Sequence, residues 1–349
     1  MLIKVLWAAA AFALFIDESE VRAAASAAPR AVSQVMLTLD GKGAGLVKSV
    51  AGGGISAAVV SVAAGSTNVF KKHLANPTFE DFAFQVGITT LPSLFAWVDA
   101  SWAQSPSRKN GVVVECDAAR NAISERQFSN ALISEVTLPA LDGSSKDAAF
   151  VTVKVAPELT RSQPGTGSCD ATVDKSPKAW SAGNFRVELA GIDTTGVARV
   201  DAFTVKRAIA TADVGAARQQ EKEPGKLELP NLKLYVAMSK AQDFQSWFDD
   251  FVVKGNSGES QEKSGALVYL AANGQDELAR VTLQNVGIFR SAPRDAQPSA
   301  ERGAEWVVEL YVESMRLSIG GVANTAATPV LREPVGKALA RPLATPAKR

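Results

Sequence analysis

Few residues in this chain could do chemistry, and their spacing argues against most of it. His73 is the lone histidine, and Cys116 and Cys169 are the two cysteines. One imidazole cannot supply a His-rich metal site, nor the usual pairing of a nucleophile with its base. Cys116 follows Glu115 and has no activating base in sequence, so a reactive thiol is not expected. The two cysteines fall in a predicted strand and a predicted linker, which favours free thiols; export from the cell would allow them to pair. Asp99 and the pair Asp249-Asp250 lie on predicted helices. Adjacent carboxylates there do not converge as an acid and base pair must, so helix surface or capping is expected. Gly41-Lys42-Gly43-Ala44-Gly45 and Gly52-Gly53-Gly54 lack the Lys-Ser/Thr ending of a phosphate loop and read as turns between strands. No enzyme, no cofactor, no metal and no small-molecule substrate is expected.

What remains is architecture. The 349 residues exceed what one core usually serves, and 46% hydrophobic with 21% charged residues suits globular domains. A formal net charge of +1 provides no global field for nucleic acid, and specific binding of it is not expected.

The sequence resembles itself at an offset of 150 residues. Val35 to Gly41 aligns with Phe185 to Gly191, both with alternating apolar positions ending in glycine. Phe79 to Val86 aligns with Leu229 to Val236, again with the period of two expected of a half-buried strand. A helical pattern follows each: Leu91, Leu94, Phe95, Val98 and Trp102 in the first copy, Phe244, Trp247, Phe248, Phe251 and Val252 in the second. Trp97 and Asp99 stand opposite Trp247 and Asp249. After a short insertion, Gly111 to Glu115 faces Gly265 to Tyr269, Gln127 to Ala131 faces Thr282 to Val286, and Phe150 to Val155 faces Trp306 to Tyr311. Phe95, Trp97, Trp247 and Phe248 are expected in the core, since helical spacing alone accounts for them.

The predicted fold class is mainly β with one packed helix per domain: two tandem sandwich or barrel domains, residues 31–156 and 184–320. Residues 157–183, with Gln163 to Ser168, form the predicted linker. Residues 1–30 are assigned to a signal peptide or a disordered N-terminus. An apolar run from Val5 to Ile16 and the small residues Ala23 to Ala28 resemble an export signal, against which stand Asp17, Glu18 and Glu20. That run is too short to span a bilayer, and no integral membrane segment is expected. Residues 321–349 form a Pro-rich basic tail.

Strand ending in glycine, long excursion, alternating strand, Trp-bearing helix, strand, Asn-containing strand and final strand occur in that order twice. This order resembles the tail-tube protein family of contractile phages, to which the hemolysin-coregulated protein of type VI secretion is structurally similar. Leu229 to Asp250 and Gln284-Asn285-Val286 carry the resemblance most clearly. It implies hexameric rings that stack into a tube; a fused pair of domains then implies a pseudo-hexamer of three chains. The excursions Ile55 to Thr78 and Ala202 to Glu228 read as projecting hairpin arms that pair with neighbours. Val59, Val60, Val62, Phe203 and Val205 are the expected oligomer contacts. Expected partners are further copies of the chain and other tail or injection-device proteins, as tube subunit or as adaptor or baseplate component. The competing expectation is an exported β-sandwich binding protein that does not assemble. Export to the periplasm or cell exterior is favoured, with cytoplasmic assembly into a phage-like particle as the alternative. A hydrolase on a β scaffold ranks last.

Overall fold

The computed structural model describes residues 30–65, 70–169, 180–213, 220–294 and 304–320. The expected signal segment lies almost wholly outside them, and the basic tail entirely so. Hydrophobic alternation is realised as antiparallel strands throughout. In chain order these are β1 (Gln34–Leu39), β2 (Lys42–Val47), β3 (Ser49–Gly52), β4 (Ile55–Ala63), β5 (Phe70–Phe79), β6 (Phe82–Val86), helix α1 (Pro92–Trp102), β7 (Lys109–Cys116), β8 (Ala122–Leu138), β9 (Leu141–Asp142), β10 (Ala148–Ala149), β11 (Val151–Ala156) and β12 (Leu159–Pro164). There follow β13 (Trp180–Ser181), β14 (Phe185–Leu189), β15 (Val197–Val200), β16 (Phe203–Asp213), β17 (Gln220–Glu228), β18 (Leu232–Ala237), helix α2 (Gln242–Phe248), β19 (Lys263–Leu270), β20 (Glu277–Pro293) and β21 (Glu305–Ile319).

The main path of the first sheet runs β2-β1-β7-β8-β11-β6-β3, and that of the second β14-β19-β20-β21-β18-β15-β9. From β1 to β3 and from β14 to β15 the two orders correspond strand for strand. Register agrees as well: Gly111 pairs with Phe128 and Gly265 with Leu283, while Val50 pairs with Phe84 and Val200 with Leu234. Asn130 and Asn285 both take a positive φ of 53° at matching points of the long strands β8 and β20. Asparagine is among the few side chains that accept this conformation. Gly52 and Gly53, with φ of 77° and 75°, turn the corner from β3 into β4; a Cβ on Gly53 would overlap the Phe82 ring. That packing role fits the turn expected of this glycine run.

Helix α1 packs against β21 and β8, and α2 against β20. Phe95, Trp97 and Trp247 are buried in the main core. Trp97 Nε1 donates to the Ser107 carbonyl at 2.7 Å. Phe248 is half-buried and packs against that core, and Val252 is exposed within the π turn Asp249–Val253 that follows α2.

Three expectations need correction. Leu159–Pro164, assigned to the linker, is a strand paired with β8, with Thr160 buried. Its Pro-Gly composition misleads because proline is tolerated at the end of an edge strand, where no ladder bond is lost. Cys116 and Cys169 are not free thiols: they form a disulfide with Cα atoms 6.4 Å apart. The Cys169 amide donates to the Arg120 carbonyl at 2.8 Å and the Ala122 amide to Gly167 at 3.0 Å, which holds the chain after β12 beside the end of β7. The third correction concerns Asp99, which is buried rather than on a helix surface.

Candidate assembly interface

The two sheets meet along a joint built from α1, β8, β16 and β21. Helix α1 starts with Pro92 at its first turn, where the missing N–H costs nothing, and packs against β21 of the second sheet. This brings Asp99 to Arg316. The guanidinium donates from Nε to Asp99 Oδ1 at 2.8 Å and from Nη2 to Oδ2 at 2.7 Å, and the Leu317 amide adds a bond to Oδ1 at 2.9 Å. The hydrogen bond from Arg316 to Asp99 raises the arginine pKa against the opposing effect of burial. A forked pair of this kind fixes orientation as well as distance.

The second contact is strand addition. β16, which follows β15 of the second sheet in sequence, pairs with β8 of the first, Phe203 opposite Leu138 and Val205 opposite Val136. Phe203 and Val205 are thereby buried within one chain, not left open for another molecule as the sequence suggested. Arg207 of the same strand is buried against α1. It donates to Ser101 Oγ at 3.2 Å, to the Ser101 carbonyl, and to the Gly225 carbonyl at 2.8 Å. Burial lowers its pKa. The returning strand β17 is held from the first sheet too. The Lys222 amide donates to Glu158 at 2.9 Å, and Arg108 reaches the Lys222 carbonyl and the Glu223 carboxylate, each at 2.7 Å.

The first arm is built alike and, among the described residues, is held by nothing similar. β4 and β5 form a two-stranded sheet of their own. Ile55, Val59, Val60, Val62, Phe70 and Leu74 are all exposed on it. A lone hairpin is marginal in water, and its open edges are templates for another strand.

The chemistry candidates end far from any constellation. His73 is exposed on β5 opposite Val60, both cysteines are tied up, and Asp250 pairs with Lys254 at 3.7 Å. Among the described residues no cluster of three or more His, Cys, Asp or Glu side chains is placed to hold a metal ion. No helix among them is long and apolar enough to cross a membrane.

Comparison with known proteins places residues 33–160 in a match to the family described as T4-like virus tail tube protein gp19. Among solved structures, the anti-feeding prophage cap (the AFP tube terminating cap) is similar at 17% identity and TM-score 0.36, over 40% of this chain and 94% of that one. The sheath-tube complex of an extracellular contractile injection system, PVC, in its extended state is similar at 20% identity and TM-score 0.35, over 42% and 98%. Hcp1 from Flavobacterium johnsoniae is similar at 16% identity and TM-score 0.24, over 39% and 100%. At such identities and scores these likenesses decide nothing about partners. No curated protein matches the chain.

Proposed function

We propose, starting from the match of residues 33–160 to the family described as T4-like virus tail tube protein gp19, that the whole protein is a structural ring subunit, two tail-tube-like units fused in tandem, three copies of which close a pseudo-hexamer. The fusion is supported by the matching strand orders and by positive-φ residues recurring at Gly41 and Gly191 and at Asn130 and Asn285. The single observation that carries the assembly is the unequal fate of the arms. The second arm adds to the first sheet of its own chain, while the first arm pairs, among the described residues, only with itself and exposes apolar side chains. An arm of the same build is completed by the same kind of partner, a sheet edge from another copy. Val59, Val60 and Val62 belong to that contact.

Export is the second part of the reading. The apolar N-terminal run and the Cys116–Cys169 disulfide both suit an oxidising compartment. Such a ring would serve in a tail or injection device, as tube, adaptor or baseplate layer.

Light scattering on size-fractionated protein, with electron micrographs of the same fractions, tests the reading. The expected species has about three times the 36.6 kDa of one chain and a central hole. A strict monomer at high concentration would rule out the ring and favour a non-assembling exported binding protein.

A further inference from the structure

We infer that a second copy of this chain docks on the open side of the second sheet through a contact that repeats the joint inside the chain, with Asp249 of one copy pairing with Arg161 of the next. This deepens the ring-subunit reading and rests on it.

The register of the two sheets identifies the residues. Helices α1 and α2 begin at Pro92 and Gln242, so Asp249, the first residue after α2, holds the position that Asp99 holds in α1. Arg316 pairs across β21 and β20 with Thr282, while Arg161 pairs across β12 and β8 with Gln127. Gln127 and Thr282 each lie three residues before the positive-φ asparagine of their strand, Asn130 and Asn285. The Gly165 amide donates to the Ile123 carbonyl at 2.9 Å, and the Gly320 amide to Leu278 at 2.8 Å, which fixes the same phase at the strand ends. By strand alternation the amides of Ser162 and Leu317 point away from the long strands. The Leu317 amide is bonded to Asp99. Arg161 and Ser162 therefore offer the same fork of donors that Arg316 and Leu317 offer, in a place where the described residues bring no helix. Arg161 and Asp249 are both exposed, and neither has an ion-pair partner among the described residues.

Apolar surface tells the same story. Positions closed at the internal joint are open at their counterparts. Trp102 of α1 is 4% exposed, whereas Val252, its counterpart after α2, is 43% exposed. Ser134, at the bulge of β8 against β11, is 8% exposed; Phe289, at the corresponding bulge of β20 against β21, is 40% exposed. Val205 is 1% exposed against β8, and Ile55, at the same place in the first arm, is 52% exposed. The edge agrees too. β8 gives Glu135–Leu138 to β16, but Arg290–Pro293 of β20 pair on one side with β21 and on the other with no described strand. Residues 53–56, at the root of the first arm, correspond to Phe203–Lys206 and complete that edge from the next copy. An acid and an apolar step on one side meet a base and an apolar strand on the other, so a copy of the chain is the occupant that fits both in charge and in shape.

Charge reversal tests the pairing in the full-length chain. Because Asp249 and Arg161 are exposed, Asp249→Arg and Arg161→Asp should each leave the monomer folded, with an unchanged circular dichroism melt. Each reversal sets like charges against each other and should raise the concentration for half-assembly, read by sedimentation velocity, by more than about tenfold. The double variant should return to within about threefold of the parent. Assembly that ignores both reversals, or a double variant no better than the singles, overturns this pairing while leaving the ring reading in place. A parent chain that stays monomeric at every concentration overturns both.

Discussion

Removing the Asp99 carboxylate should be the most damaging single change at the joint inside the chain. Asp99→Ala leaves Arg316 with two unpaired donors and the Leu317 amide with none of its bond. Breaking a buried pair costs roughly 3–5 kcal/mol. The Arg316 side chain is 25% accessible, so water recovers part of its solvation, whereas Leu317 is 4% exposed and its amide is left without a partner for that bond. The expected loss is therefore about 2–4 kcal/mol. Asp99→Asn keeps an oxygen for the Leu317 amide and Arg316 Nε but gives up the charge and the acceptor for Arg316 Nη2, for an expected loss of about 1–3 kcal/mol. Asp249→Ala is the internal control. It removes the corresponding acid from an exposed site and should stay within about 0.5 kcal/mol in the dissociated chain. Urea unfolding followed by tryptophan fluorescence measures all three, provided the slope of free energy against urea stays constant. Equal effects of Asp99→Ala and Asp249→Ala, or none from the former, would refute the assignment of Asp99 to the joint.

Other outcomes follow from the same geometry. Replacing Cys116 and Cys169 by serine opens a loop with a sequence separation of 53 residues and should cost about 2–4 kcal/mol; a urea midpoint unmoved by the change or by reductant would contradict this. Val59→Ser with Val62→Ser should lower the assembled fraction in sedimentation while monomer stability stays within about 0.5 kcal/mol; unchanged assembly would remove these residues from the contact. At low pH the second sheet should weaken. The Thr195 hydroxyl, then its amide, and then Lys240 hold Asp193 down at about 2, and the hydrogen bond from Arg280 lowers Glu188. Both folded values lie below the unfolded ones, so their support is complete above about pH 5 and lost as pH falls through the folded values. Thr195→Val should raise the Asp193 titration seen by carboxyl NMR, and an unmoved titration would contradict the order of causes.

Strands such as Phe82–Val86 and Leu232–Ala237 were legible because alternation is a local property: one face meets the core and the other does not. Trp97 and Trp247 were legible for the same reason, through helical spacing. Asp99 was not, since its partner Arg316 lies 217 residues away and nothing in either neighbourhood signals the other. Free thiols were favoured over the disulfide because the Pro and Gly content of the segment before Cys169 has the character of a linker. The strand there is imposed by the edge of β8 rather than by its own propensity. Phe203 and Val205 were recognised as arm contacts, but whether an arm root closes on its own chain or on another depends on the path between the two sheets, which residue patterns do not encode.

Arg207, held by the hydroxyl and carbonyl of Ser101 in α1 within each chain, has Ala57 as its counterpart in the first arm. A closed assembly of three chains would then alternate between welded and merely fitted seams. Under load or dilution it should fracture along the three fitted seams into whole chains, so that rupture proceeds by thirds and never by sixths.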